Sequence, residues 1–307
     1  MKKCLVVGGS GFIGRNLVLA LAKSEYDVSG FSNVAPPDDF QRQFAWRLGD
    51  FCDADAIAAA VDGIDVVFHL VSTSVPGTAQ ADIAADIDNN IKASVQFMDI
   101  CHRRKVGKVV FISSGGTVYG PDVSVPTAED APTNPISAYG VAKLSIEKYF
   151  YMYAHTQGLK SSVVRLSNPY GPNQDAKKAQ GVIPIFLRRI LNEEEIAIWG
   201  DGAIVRDYIH IDDVNEALLR VAAEDTLFSL YNVGSGVGHS LMEIVNQIAS
   251  VCGKAPIIRF MPPRDFDVPE NVLDIGKIRR ALGWEPRISL EEGIGRTFRA
   301  LKEDPAA

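Results

Sequence analysis

An apolar run, Leu5-Val6-Val7, passes directly into Gly8-Gly9-Ser10-Gly11-Phe12-Ile13-Gly14 and then into the helical pattern Asn16-Leu17-Val18-Leu19-Ala20-Leu21. Few arrangements restrict a fold more. Glycines at three-residue intervals between strand and helix answer three demands: a tight turn, a close backbone approach and helix–strand packing. The helix that opens there offers free N–H groups and its positive dipole end to a pyrophosphate. A glycine-rich turn with no ligand would show the same spacing; the strand–turn–helix context is what favours a dinucleotide. Gly8, Gly11 and Gly14 are therefore candidate cofactor-binding residues.

The rest of the chain continues the alternation. Val66-Val67-Phe68-His69-Leu70, Val109-Val110-Phe111-Ile112 and Ser162-Val163-Val164-Arg165-Leu166 are short, nearly continuous apolar runs separated by helix-length segments. Uninterrupted runs suit strands buried on both faces of a parallel sheet, joined by right-handed crossovers. The reading is α/β: a Rossmann-like doubly wound parallel sheet. After residue 168 the texture changes to turns, short strands and proline-containing loops, which predicts a smaller mixed α/β C-terminal substrate lobe. The expected division is residues 1–167 plus about 204–235 for the dinucleotide domain, and about 168–203 plus 236–307 for the second lobe, with a cleft between them.

Composition excludes several classes. With 47% hydrophobic and 22% charged residues, the 307-residue chain can bury a sizeable core. A net charge of −7 argues against a nucleic-acid or anionic-membrane partner, though not against a phosphate-bearing small molecule. Cys4, Cys52, Cys101 and Cys252 show no CxxC spacing, so no metal site or disulfide scaffold is indicated. No stretch approaches the roughly 18–20 apolar residues of a membrane span. Glycines also interrupt the N-terminal apolar run before it could serve as a signal peptide. A cytoplasmic location is the expectation.

The chemistry is suggested further along. Tyr139 and Lys143 lie four residues apart near a helix start, so both side chains can reach one site. An ammonium beside a phenol favours the phenolate, giving a base able to work on an alcohol near neutrality. A surface helix can carry such a pair by chance. Here it follows Pro135-Ile136-Ser137-Ala138, a dinucleotide loop and the Ser/Gly loop Ser113-Ser114-Gly115-Gly116-Thr117-Val118-Tyr119-Gly120.

These motifs, with Arg165-Leu-Ser-Asn168-Pro, Arg206-Asp207-Tyr208-Ile-His210, Tyr231-Asn-Val-Gly-Ser-Gly236 and Arg264-Asp-Phe-Asp267, resemble the extended short-chain dehydrogenase/reductase family from Lys3 to about Leu301. The likeness is greatest to its UDP-glucose (UDP-galactose) 4-epimerase branch. It implies an NAD-dependent isomerase that inverts C4 of a UDP-hexose through a 4-keto intermediate. In that scheme Tyr139 is the base, and Lys143 holds the nicotinamide ribose.

The same resemblance implies further site residues. Phe12, Ile13, Asn33, Phe51, Leu70 and Asn90 would line the cofactor; Asn90 could equally be a helix-end asparagine. Asn168, Val182, Ala197, Trp199, Arg206, Arg264 and Asp267 would hold the nucleotide sugar, although the two Arg–Asp sets would otherwise read as surface ion pairs. Asn271 matches a position that discriminates N-acetylated from plain hexoses. His69 and His210 read as core histidines. Relatives also imply a homodimer through long flanking helices, one of them containing Tyr139 to Tyr153.

Two departures stand out. The carboxylate that binds the adenosine ribose is replaced by Ser32, which leaves NADP open beside NAD; Asp50 reads either as an adenine-end residue or as a loop cap. The usual catalytic hydroxyl position holds Gly115, so Thr117 or Ser114 must supply that group, with Thr117 favoured. The loop carries no acid, which removes the dehydratases of the same superfamily. A net reductase of a nucleotide-linked keto sugar and a catalytically silent nucleotide sensor are the competing readings.

Overall fold

The apolar runs form a seven-stranded sheet in the computed structural model, which describes residues 1–74, 79–175, 181–263 and 268–303. Its first six strands are β1 (Lys2–Val7), β2 (Tyr26–Ser32), β3 (Ala45–Leu48), β4 (Val66–His69), β5 (Lys108–Ser114) and β6 (Ser161–Leu166). They lie in the order 3-2-1-4-5-6, with Phe228–Val233 beyond β6, and every pairing among the six is parallel. β4 and β6 are buried at every position, as runs without alternation require. The order reverses between β1 and β4. Such a switch point opens a crevice at the carboxyl ends of the strands, where α/β sheets bind ligands.

Backbone contacts group the chain into two compact units. The first comprises Met1–Asp122, Pro132–Leu166 and Asn215–Tyr231. Its core packs Leu5, Val7, Phe97, Phe111, Phe150 and Val163 between sheet and helices. At the sheet's far side Lys108 is buried, and its ammonium donates to the carbonyls of Val221 and Glu224, each at 2.6 Å. These carbonyls lie at the end of the helix Ile211–Ala223, where a cation also suits the helix dipole. Burial lowers the Lys108 pKa to about 8, against the upward pull of Glu224 and Asp225.

The second unit comprises Val123–Ala131, Ser167–Val214 and Asn232–Ala307. Here β7 (Asn168–Tyr170) pairs with β9 (Val205–His210), and β8 (Glu195–Trp199) pairs with Ile257–Met261, both in parallel. Ile183, Leu187, Ile196, Ile198, Ile244 and Ile294 form its core. The Asp207 carboxylate ties its loops together, accepting from the backbone of Ser235, Gly236 and Leu273 and from the Ser235 hydroxyl at 2.7–3.3 Å. Among the described residues no helix is long and apolar enough to cross a membrane, and no His/Cys/Asp/Glu cluster could hold a metal ion.

Candidate active site

The glycine turn has the geometry its spacing predicts. Gly8 adopts φ +89°, and a Cβ there would come within 3.1 Å of the Val71 nitrogen, so the turn sits against the end of β4. A Cβ on Gly14 would stand 2.4 Å from the Gly8 carbonyl oxygen, closer than packing allows. The turn closes through the Gly11 N–H on the Gly8 carbonyl at 3.2 Å. Gly11 caps helix α1 (Phe12–Ala22) without a side-chain acceptor, and no acidic residue enters the first turn. The N–H groups around Phe12 and Ile13 are therefore free for an anion. Leu70, at the end of β4, donates its N–H to Val7 and so lies across the switch point from the glycines. These features fit a dinucleotide pyrophosphate.

At the adenosine end the departure noted in sequence is explicit. Ser32 is buried at the end of β2; its hydroxyl donates to the Val34 carbonyl (2.7 Å) and accepts from the Trp46 indole N–H (3.1 Å). Trp46 packs where a side chain on Gly9 or Gly30 would otherwise lie. Asn33 is exposed. The Asp50 carboxylate accepts from the Cys52 N–H at 2.9 Å, as a loop cap does. Phe51 is buried against His69 and Phe97, with ring centroids at 4.8 and 5.6 Å.

Tyr139 and Lys143 sit in the first turns of the helix Ala138–Gln157, capped by the Ser137 hydroxyl on the Gly140 N–H at 3.1 Å. Gly140 has a second role. A Cβ there would stand 2.6 Å from the Thr117 carbonyl oxygen, so its absence brings the Ser/Gly loop against the helix. The Thr117 Oγ1 is buried with no protein partner among the described residues. Ser114 is half-buried at the end of β5, and its carbonyl accepts from Thr117 and Val118 at 3.4 and 3.3 Å.

The Lys143 ammonium is buried, donates to the Ile112 carbonyl at 3.0 Å and stands 4.9 and 5.7 Å from the ring centroids of Phe111 and Tyr139. Burial lowers its pKa to about 8, while Glu147 and Asp86 pull it upward. The Tyr139 phenol is raised to about 12, first by burial, with the Ser72 hydroxyl pulling down and Asp86 pushing up. The spacing led to the expectation that the lysine depresses the phenol; in the folded protein desolvation of the phenolate is the largest influence on it.

Behind this pair the Arg165 guanidinium bonds the Glu147 carboxylate (Nη2–Oε2 2.7 Å) and lies 4.7 Å from the Tyr119 ring centroid. Glu147 also accepts from the Ser113 hydroxyl, so this buried assembly joins β5, β6 and the helix Ala138–Gln157. His69 lies among aromatic rings with Nε2 3.0 Å from the Ser94 hydroxyl, and burial holds its pKa well below the usual value, as a core histidine requires.

The Asn90 amide is fully engaged. Its oxygen accepts from the Thr73 N–H (2.9 Å), and its nitrogen donates to the Thr73 hydroxyl and the Asp86 carboxylate, both at 2.8 Å.

In the second unit the Asn168 amide donates to the Asp207 carbonyl at 2.8 Å, tying β7 to β9. Arg206 and the buried Asn271 face one another in the pairing of β9 with Glu270–Asn271. Val182 begins the helix Val182–Leu191, and Ala197 is half-buried in β8. Trp199, 39% exposed, borders a cleft of about 260 Å³ with Gly200, Asp201, Ile204, Pro263 and Pro269. Arg264 and Asp267 lie outside the described residues. His210 is buried, its Nδ1 accepting from the Asp212 N–H at 3.2 Å.

Ser72, Asp86, Trp46 and the Glu147–Arg165 pair escaped the reading of the sequence. Arg165 stood in a motif there, and Glu147 left a trace four residues beyond Lys143 on the same helix.

The sequence matches the NAD dependent epimerase/dehydratase family over residues 4–234. A UDP-glucose 4-epimerase of Mycolicibacterium smegmatis is 34% identical over 303 residues, 96% of this chain and 97% of the relative. A dTDP-4-dehydro-6-deoxyglucose reductase of Escherichia coli is 31% identical over 307 residues, 97% of each chain. A crystal structure of UDP-glucose 4-epimerase from Thermotoga maritima with UDP-glucose is 35% identical and matches with a TM-score of 0.92 over 98% of this chain and 99% of that one.

Proposed function

Because this chain belongs to the NAD-dependent epimerase/dehydratase family, we propose that it is a UDP-sugar 4-epimerase, inverting C4 of UDP-glucose, UDP-galactose or an N-acetylated or uronic analogue through a 4-keto intermediate. The observation that carries this reading is that a buried ammonium and a desolvated phenol lie in the first turns of one helix, while the loop bearing a buried hydroxyl with no partner among the described residues abuts that helix at Gly140. Tyr139 takes the O4 proton and returns it after the ketone has turned over. Thr117 offers its hydroxyl to the reacting oxygen, with Ser114 the alternative donor. Bound NAD supplies the hydride acceptor for C4 and, while oxidised, a positive ring. Lys143 adds a second cation beside a phenol that burial alone leaves too basic for neutral pH.

In this reading the first unit is the NAD-binding domain: the glycine turn, Leu70, Phe51 and the segment after β2 hold the dinucleotide, and Asn90 holds the loop beside it. The second unit holds the UDP-sugar through Asn168, Val182, Ala197, Trp199, Arg206, Arg264 and Asp267. A guanidinium suits the diphosphate and a carboxylate the ribose hydroxyls. The chain acts as a homodimer: Val141, Tyr149 and Met152 are exposed apolar residues along one face of the catalytic helix. Its four free cysteines suit a reducing cytoplasm.

A second reading, a reductase of a nucleotide-linked keto sugar, is favoured by the Escherichia coli relative and by Ser32 in place of a ribose-binding carboxylate. One experiment separates the two. The purified protein is offered a panel of UDP-hexoses with NMR readout of C4, and the cofactor released by denaturation is identified. Inversion at C4 with retained NAD is the expected result. No inversion, together with turnover of added NADPH on a keto sugar, would establish the reductase instead.

A further inference from the structure

Trp46 packs against two parts of the first unit at once. In β3 it stands in register with Gly30 of β2, where a Cβ would collide with the indole. A Cβ on Gly9, in the glycine turn, would come within 2.9 Å of the same ring. The Gly8 and Gly9 N–H groups donate to the Phe31 carbonyl at 2.8 and 3.1 Å, so the turn is tied to β2 one residue before Ser32. A single indole thus spans the turn that suits a pyrophosphate and the strand end where the adenosine ribose of a dinucleotide is read.

The indole also fixes the state of Ser32. A serine hydroxyl has one proton and two lone pairs, and ordinarily turns to donate or accept as its neighbour requires. Here one neighbour, the Trp46 N–H, can only donate, and it lies 3.1 Å from Oγ. The other, the Val34 carbonyl at 2.7 Å, can only accept. The proton is therefore committed to Val34 and one lone pair to Trp46. With 4% of Ser32 exposed, little water is present to redirect that proton. What the hydroxyl retains is one lone pair, an acceptor.

That remainder separates two dinucleotides. A ribose hydroxyl brings a proton for the lone pair, whereas a 2′-phosphate brings only acceptor oxygens and negative charge. Arg47, the next residue along β3, faces the other side of the sheet, where it donates to the Ala59 carbonyl at 2.6 Å. Asn33 is exposed, and its amide serves either ligand, so it does not choose between them.

We propose that Trp46 is a positioning residue that sets cofactor choice: by locking the Ser32 hydroxyl as an acceptor, it makes the end of β2 select an unphosphorylated adenosine ribose, hence NAD over NADP, without a carboxylate. This rests on the dinucleotide reading of the first unit and is independent of which sugar reaction follows.

The test needs no turnover. The purified protein is incubated with NAD and NADP at equal, saturating concentrations until the bound composition is constant; the bound dinucleotides are then released by denaturation and quantified. The wild type should retain NAD over NADP by roughly tenfold or more. Trp46→Phe keeps a ring against Gly9 and Gly30 but leaves the Ser32 proton free to turn, so the preference should fall to within about threefold. Ser32→Ala removes the acceptor itself and should lower the preference to the same extent; it decides the question if Trp46→Phe does not fold.

Variants that lose both dinucleotides in equal proportion, or keep the wild-type ratio, would assign Trp46 a packing role only and overturn the proposal. A wild type that takes both dinucleotides alike would overturn it too. A wild type that retains neither would instead defeat the dinucleotide reading, and the proposal with it.

Discussion

Lys108 and Lys143 are both buried in the first unit, and burial lowers both pKa values to about 8. The bonds around them differ. Lys108 has two helix-end carbonyls at 2.6 Å and the Glu224 carboxylate at 4.0 Å. Among the described residues Lys143 has one carbonyl and the faces of two rings, which leaves donor capacity unfilled. Equal perturbation therefore reflects opposite uses. A shifted pKa shows that a charge has been desolvated; unfilled hydrogen-bonding capacity shows that the charge has work outside the protein.

The sharpest way to break this contrast is to remove each ammonium in turn. Lys143→Met should lower turnover on the order of 10³-fold and change stability by no more than about 1 kcal/mol, because an incompletely paired buried charge contributes little. Lys108→Met should do the reverse: turnover within about threefold of wild type, and a loss of roughly 2–4 kcal/mol in denaturant unfolding as carbonyls and a carboxylate lose their partner. If both variants lost activity alike, the distinction would fail.

The same logic applies to hydroxyls. Thr117→Val should reduce turnover roughly 10²-fold without destabilising the fold, since its Oγ1 has no protein partner to lose. The satisfied buried pair Ser162–Ser229, at 2.7 Å, is the control, where Ser162→Ala should affect stability and not rate. A silent Thr117→Val would transfer the role to Ser114.

The smallest effect is in the pH dependence of stability. An unfolded lysine titrates near its ordinary 10.5, whereas the two folded ones titrate near about 8. Between these values the unfolded chain binds more protons, so the lysine contribution to stability rises with pH and is flat below about 8. Removing either lysine should halve that slope in denaturation titrations. An undiminished slope would mean that neither lysine is desolvated as described.

Much of this was legible in the sequence because it is local. The glycine turn, the buried runs of β1, β4, β5 and β6, and the placing of Tyr139 and Lys143 near one helix start all depend on residues close in the chain. What escaped depends on distant segments meeting. Ser72 reaches Tyr139 from a different loop, and Trp46 reaches Ser32 across fourteen positions. Asp86, in Asp82-Ile-Ala-Ala-Asp86-Ile-Asp88, gave no signal in the sequence, yet it is nearly inaccessible. The phenol's desolvation escaped too, because a four-residue spacing reports that a lysine is near and is silent about how little water remains.

Gly140 is the spacer of the Tyr139-to-Lys143 motif, and a hydrogen atom there occupies the place of a side chain against the Thr117 carbonyl. Loop and helix thus touch main chain to main chain. Separations set by rotamers vary by an ångström or more as χ angles change, whereas one set by abutting backbones varies only as far as the two elements themselves shift. Tyr139 and Thr117 inherit that tolerance: their carriers are registered to one another independently of how either side chain turns.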